Sequence, residues 1–199
     1  MGSITASQVQ ELRQQTGVGM MECKRALEEA EGDIDRAVEL LRLRGQAKAA
    51  RKASRAANEG RVEAYIHLGG KIGVLIELDC ETDFVAKTED FRDLARTLAM
   101  QVAATSPLAV RHEDLPPEVV EKEAAIYRQQ AEESGKPAEI VEKIAQGRLE
   151  KWYQEVCLLE QAFVKDPDRK VSDVVTEAVQ RLGENIVVRR FVRFEVGGE

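Results

Sequence analysis

Lys71-Ile72-Gly73-Val74-Leu75-Ile76-Glu77-Leu78-Asp79-Cys80 runs directly into Glu81-Thr82-Asp83-Phe84-Val85-Ala86, and the junction between the two decides the fold. Ile72, Val74, Ile76, Leu78 and Cys80 recur at every second position, the period of a strand with one buried face. Past the junction, Phe91, Leu94, Ala95, Leu98 and Val102 keep the three-and-four spacing of an amphipathic helix. A strand therefore ends near Cys80, and Asp83 and Phe84 are expected on a short turn before the helix. Taken as residues alone, such a turn has two readings. Phe84 plugs the gap between strand and helix, or the carboxylate and the aromatic together form a wedge presented to another protein.

Outward from the junction, Arg61 to Leu68 pairs with the strand as a hairpin about Gly69-Gly70. At the far end Gly183 stops a helix marked by Val171, Val174, Val175, Ala178 and Leu182. A final strand follows, with Ile186, Val188, Arg190, Val192, Phe194 and Val196 on one face and Val187, Arg189, Phe191, Arg193 and Glu195 on the other. Between these parts, 118 to about 156 reads as an exposed helical hairpin turned at Ser134-Gly135-Lys136-Pro137, where proline suits a first helical turn. Gln161 to Asp168 is expected as a loop or a short edge strand.

The N-terminal 42 residues read as three short helices. Thr5 with Gln8 forms a capping box, Gly17 is a stop, and Gly32-Asp33 breaks and recaps the chain. Met20, Cys23, Leu27 and Ala30 give the second helix its stripe, and Ile34, Ala37, Val38 and Leu41 the third. The composition then shifts. Arg42, Arg44, Lys48, Arg51, Lys52 and Arg55 occur among alanines with no acidic residue between them, as a helical linker with one positive face. That face is either solvated or set against an acidic surface, RNA or protein.

The whole chain narrows the function classes. It has 199 residues, 43% hydrophobic and 33% charged, with a net charge of −7, which speaks against nucleic-acid binding by the chain as a whole. No apolar run approaches the roughly 18 residues of a membrane span. The first residues lack a secretory pattern, so the cytoplasm is the expected location. Cys23, Cys80 and Cys157 are too scattered for a disulfide framework or a zinc site and are expected as reduced thiols. His67 and His112 have no partner at a recognisable spacing, and no phosphate-binding loop or nucleophile motif is present. An enzyme reading has no support, and no cofactor or metal is implied. The remaining signals are of protein contact. Arg13, Met20 and Met21 flank Thr16-Gly17-Val18-Gly19. If Met20 faces the bundle core, Met21 is turned about 100° away; alternatively, both methionines close the core.

These residues also carry a resemblance. Ile4-Thr5-Ala6-Ser7, Glu11-Leu12-Arg13 and Thr16-Gly17-Val18-Gly19-Met20-Met21-Glu22-Cys23-Lys24-Arg25-Ala26-Leu27 resemble the N-terminal signature of the elongation factor Ts family. Thr82-Asp83-Phe84-Val85-Ala86 is similar to its second signature. Glu142 to Leu149, Gln161 to Val164 and Arg193 to Val196 follow as later landmarks, collinear over almost the whole chain.

The resemblance implies a guanine-nucleotide exchange factor for elongation factor Tu, binding it both GDP-bound and nucleotide-free. In that family, positions matching Arg13, Met20 and Met21 grip the GTPase. The stretch matching Thr82, Asp83, Phe84 and Val85 disturbs its magnesium and phosphate site, with the pair at Asp83 and Phe84 inserted between helices. The fold expected is α+β. A ubiquitin-associated-like three-helix bundle at 1–42 and a basic linker at 43–60 precede a core at 61–199, in which a three-stranded antiparallel sheet has helices on one face and the helical hairpin inserted. A single such core resembles the short form of the family. It leaves one sheet face open, with Leu75, Val187 and Phe191 as candidates, and a homodimer is expected to cover it. Two rivals stand beside this reading: a helical-bundle adaptor acting through Met20 and Met21, and an RNA-associated translation protein using 42 to 55.

Overall fold

The computed structural model describes residues 4–133 and 135–198. Ser134, part of the expected break in the hairpin, lies outside the described residues. The elements are α1 (Ala6–Thr16), α2 (Met20–Glu29), α3 (Ile34–Lys52), β1 (Glu59–Ile66), β2 (Ile72–Cys80), α4 (Asp83–Ala86), α5 (Glu89–Thr105), a 3-10 turn (His112–Asp114), α6 (Pro117–Glu132), α7 (Ala138–Val156), β3 (Ala162–Phe163), β4 (Asp166–Lys170), α8 (Val171–Leu182) and β5 (Ile186–Glu195). The class is α+β, as expected. The main sheet has the order β1-β2-β5, antiparallel throughout, and β3 and β4 form a separate two-stranded sheet.

The residues group into two compact units. The first draws on Met1–Arg61, Leu78–Leu94 and Asp173–Val187. Its N-terminal bundle begins at the expected capping box. Thr5 Oγ1 accepts from Gln8 N while Gln8 Oε1 accepts from Thr5 N. Helix α1 ends at Gly17, whose φ of 66° is left-handed and suits a residue without Cβ. Val9, Leu12, Val18, Cys23, Ala26, Leu27, Ala30, Ala37 and Leu41 form the buried core. Met20 is not among them. It sits at the first position of α2 and is 45% exposed; Ala26 completes the stripe instead.

Helix α3 does not stop near residue 42 but continues through the basic run to Lys52. Its cations meet the unit's own acceptors. Arg44 pairs with Glu29, Lys48 with Glu22, and Arg42 with Asp173 at 2.8 Å, while Lys52 Nζ donates to the Gly183 carbonyl. Each exposed pair contributes little alone. Together they set α3 against α2 and α8, so the acidic surface that this basic face meets is the chain's own. Gly60 is needed where β1 crosses β2, because a Cβ there would lie 2.3 Å from the Leu78 carbonyl oxygen and 2.7 Å from Asp79 Cα.

The second unit comprises Val62–Glu77, Ala95–Ser172 and Val188–Glu199. Val74 and Ile76 point inward, and Ala95, Leu98, Ala99 and Val102 bury the inner stripe of α5. Gln101 is wholly buried yet satisfied. Its side-chain amide donates to Gln161 and to the Ala162 carbonyl, and its side-chain oxygen accepts from Val164 N. This ties β3 to α5. The α6–α7 hairpin is exposed as expected; among the described residues its helices bury only Ala131, Val141 and Ala145.

The open sheet face differs from expectation. Ile186 and Val188 are buried, Arg189 and Arg190 are both exposed, and then Phe191 and Arg193 are the more buried positions. Alternation thus slips by one residue at Arg189-Arg190, as an extra residue in one strand produces. Arg193 Nε reaches the Ala103 carbonyl of α5, so odd positions face the helices there. Phe191 therefore faces the helix side, Val187 is half-buried, and the exposed face carries Val192, Phe194 and Val196 beside Leu75, Val62 and Ile66. Arg190 and Glu77 form an ion pair on that face.

Candidate partner-binding site

Strand β2 ends at Cys80, and the chain does not simply turn. Thr82 adopts an extended conformation and caps one turn of helix, α4, with its hydroxyl accepting from Val85 N at 3.4 Å. The Thr82 carbonyl then accepts from Ala86 N, and the Val85 carbonyl accepts from Thr88 N and Thr88 Oγ1. Thr88 Oγ1 in turn accepts from Phe91 N at the start of α5. The expected short turn is thus a capped helical turn, because threonines at 82 and 88 supply local acceptors for otherwise orphaned N–H groups.

On this single turn Ala86 is buried, Val85 is half-buried and Phe84 is 80% exposed. Phe84 therefore does not plug the gap between strand and helix. Phe91, the next aromatic along, fills the core with no exposed surface. Asp83 is half-exposed and forms an ion pair with Lys87, one helical turn on, at 2.6 Å. Of the four expected residues, Phe84 and Asp83 face outward, whereas Thr82 uses its polar atoms within the chain.

Those atoms meet a clasp from the α8–β5 connection, in the same unit. Glu184 Oε2 accepts from Glu81 N at 3.1 Å and Thr82 N at 3.0 Å, and Glu184 Oε1 accepts from Thr82 Oγ1 at 2.6 Å. In return, Asn185 N donates to Glu81 Oε1 at 2.7 Å, and Asn185 Nδ2 donates to the Arg55 carbonyl at 2.8 Å. The Asn185 N–H and then the Arg55 guanidinium hold the Glu81 carboxyl below its usual range. Cys80 Sγ donates to the Thr82 carbonyl at 3.1 Å. Burial pushes the Cys80 thiol up to about 11, so at neutral pH it remains a donor. The residue pattern gives no advance sign of Glu184 or Asn185. Only Gly183, a helix stop, marks their neighbourhood. Arg55 stands out only as the last cation of the basic run, which here meets Glu81.

The bundle exposes the other three expected residues. Arg13 is exposed in the last turn of α1, and Met20 and Met21 open α2 after the Gly17–Gly19 link, 45% and 63% exposed. Neither methionine closes the core, and the two present a flexible apolar surface. These residues and α4 belong to the same compact unit.

Elsewhere the histidines and cysteines have local partners or are buried. His67 is exposed and hydrogen-bonded to Tyr65 Oη at 3.0 Å. His112 stacks on Tyr153 and meets Glu160 at 2.7 Å, a contact that raises its pKa. Cys23, Cys80 and Cys157 are buried and unbridged, with Cys157 pushed up to about 12 by burial. None of the three is an activated nucleophile. Among the described residues no helix is long and apolar enough to cross a membrane.

Comparison with known proteins identifies the family. The family model described as elongation factor TS matches residues 5–198. The chain is 61% identical over 194 residues to an elongation factor Ts of Carboxydothermus hydrogenoformans, covering 98% of this chain and 89% of that protein. It is 62% identical to one of Moorella thermoacetica, covering 98% and 96%, and 57% identical to one of Thermosipho melanesiensis, covering 98% and 99%.

Proposed function

We propose, since this chain belongs to the elongation factor Ts family of translation elongation factors, that it is a guanine-nucleotide exchange factor that releases GDP from elongation factor Tu. The observation that carries the reading is Phe84. A large apolar ring stands 80% exposed on a capped helical turn whose other residues are tied down. Such a ring gains by burial in a partner.

In this reading Arg13, Met20 and Met21 of the N-terminal bundle, 1–42, hold the GTPase. Asp83 and Phe84, flanked by Thr82 and Val85, enter between helices of its nucleotide domain. Bound GDP is held largely by Mg²⁺ and by backbone donors around its phosphates. A factor that binds best when those contacts are broken weakens nucleotide affinity, and nucleotide weakens the factor's affinity by the same ratio. No covalent step is needed, so the chain acts on the GTPase without being an enzyme itself and needs no cofactor of its own. The site of action is the cytoplasm.

The rivals are weaker. The basic run from Arg42 to Arg55 meets acids of its own unit at Glu22, Glu29, Asp173 and Glu81, which leaves little of it for RNA. The adaptor reading leaves the exposure of Phe84 unexplained. The deciding measurement is stopped-flow release of labelled GDP from elongation factor Tu. The chain accelerates release; an unchanged rate at saturating factor refutes the assignment.

The open face of the 61–199 core is assigned to a second copy of the chain. Val62, Ile66, Leu75, Val192, Phe194 and Val196 make it apolar, and Arg190 on that face is paired with Glu77. Two such faces pack as stacked sheets about 10 Å apart. Light scattering at micromolar concentration reads a dimer, and a monomer there refutes the pairing.

A further inference from the structure

The displacing turn is held from behind by one carboxylate. We infer that Glu184 is a positioning residue for nucleotide exchange: by accepting from Glu81 N, Thr82 N and Thr82 Oγ1 it fixes the direction in which α4 presents Phe84. The inference rests on the exchange reading above and adds to it a residue on a different element, more than a hundred positions away in the chain.

The geometry has three parts. First, Glu184 reaches the backbone where it leaves β2, before α4 begins, so its contacts set the direction of the helical turn rather than its length. Second, Thr82 has no polar atom left over. Its N–H and O–H go to Glu184, its carbonyl accepts from Cys80 Sγ and Ala86 N, and its hydroxyl oxygen accepts from Val85 N. A residue bound at every polar atom has one orientation. Third, the clasp closes on itself through Asn185 N to Glu81 and Asn185 Nδ2 to the Arg55 carbonyl at the end of the α3 segment. The bundle that carries Arg13, Met20 and Met21 continues through α3 into that segment, so the turn and the gripping surface share a frame. Hydrogen bonds accepted by a carboxylate are stronger than neutral ones, and misplacement of a reacting group by about 1 Å can lose as much as 10²-fold in rate.

The test uses the full chain and elongation factor Tu loaded with labelled GDP. Release is followed over a range of factor concentrations, in parallel with amide hydrogen exchange on the free chain. For Glu184→Ala the maximal release rate falls at least about tenfold, while the half-saturating concentration stays within about twofold. The amides of Glu81 and Thr82 lose protection, and those of α1 and α2 keep theirs. Glu184→Gln keeps a carbonyl oxygen that accepts the two N–H groups, and it recovers most of the maximal rate. An unchanged maximal rate in Glu184→Ala overturns the inference. So does a loss of protection throughout the unit with glutamine equally inactive, which marks Glu184 as merely structural. Failure of the unmodified chain to release GDP refutes the exchange reading, and with it any part for Glu184 in exchange. That result is told apart from failure of the clasp because hydrogen exchange reads the clasp without the GTPase.

Discussion

Truncating Phe84 separates folding from function more cleanly than any other change in this chain. In the free protein the residue is 80% exposed, so only about a fifth of its surface contributes to the fold. Full burial of such a side chain stabilises by about 1.5–3 kcal/mol. Four fifths of that, about 1.2–2.4 kcal/mol, remains to be gained against the GTPase, and at about 1.4 kcal/mol per tenfold the loss in Phe84→Ala is roughly 8- to 60-fold. Folding loses at most about 0.3–0.6 kcal/mol, offset in part because alanine favours helix, so Tm moves by less than about 2 °C. If the ring acts by displacing contacts around the nucleotide, the loss falls on the maximal rate of GDP release, read by stopped-flow with labelled nucleotide. If it is only an adhesive, the loss falls on the half-saturating concentration. A variant with both parameters unchanged refutes the wedge, and so does one whose activity is lost in step with a Tm drop of many degrees.

Met21→Ala, with 63% of its surface exposed, should raise the half-saturating concentration by roughly 5- to 25-fold and leave the maximal rate intact; a pure rate effect would deny it a gripping role. Leu75→Asp combined with Phe194→Asp places charge on the open sheet face and is expected to leave a monomer by light scattering, with unchanged far-ultraviolet circular dichroism. A persistent dimer would place the pairing elsewhere. Gly60→Ala forces a Cβ against the backbone of Leu78 and Asp79, which cannot rotate aside. It should cost about 2–3 kcal/mol, or about 4–12 °C in thermal denaturation, and a Tm within about 1 °C of the parent contradicts the close approach. His112 has a folded pKa raised by its hydrogen bond to Glu160, so its stabilising contribution is complete below the unfolded value near 6.5 and is lost as pH rises through the folded value. The Tm difference between the parent and His112→Gln should therefore shrink from about pH 5.5 to about pH 8.5. A difference that grows with pH reverses the assigned sign.

What the residue pattern reveals, and what it hides, follows from range. Thr5 with Gln8, Gly17, and Gly32-Asp33 work within four residues of themselves, and each capping or stop device stands where the pattern places it. The period of β2 is equally local, since Val74, Ile76, Leu78 and Cys80 are all buried. Met20 shows where the pattern fails: helical spacing puts it on the core stripe, but as the first residue of its helix it stays 45% exposed, while Val18 just before it and Cys23 after it are buried. The basic run of α3 reads as a linker because its acidic partners lie on α2, near Glu81 and on α8, up to 131 positions away. The slip at Arg189-Arg190 is invisible for a related reason. Both faces of β5 mix apolar residues with arginine, so the pattern permits either phase and packing against α5 chooses. For the site, the exposed pair is legible as one of two readings, whereas the clasp that aims it is not.

That clasp bears on the energy of insertion as well as on direction. Ordering a backbone residue costs about 1–2 kcal/mol, so a turn at residues 82–85 that ordered only as it entered the GTPase would take roughly 4–8 kcal/mol from the gain on insertion, a loss read in the maximal rate rather than in the grip of the bundle. The gain available from Phe84 is smaller than that. An exposed aromatic on a mobile loop would thus be a poor wedge, and the same ring on a turn already held by Glu184, Cys80 and Thr88 is an effective one. The free chain accepts an exposed ring, which adds little to its own stability, and the ordering is done by hydrogen bonds that form on folding. The consequence is directional. Weakening the clasp should harm exchange more than it harms the fold, whereas weakening the bundle core at Leu12 or Leu27 should harm both together.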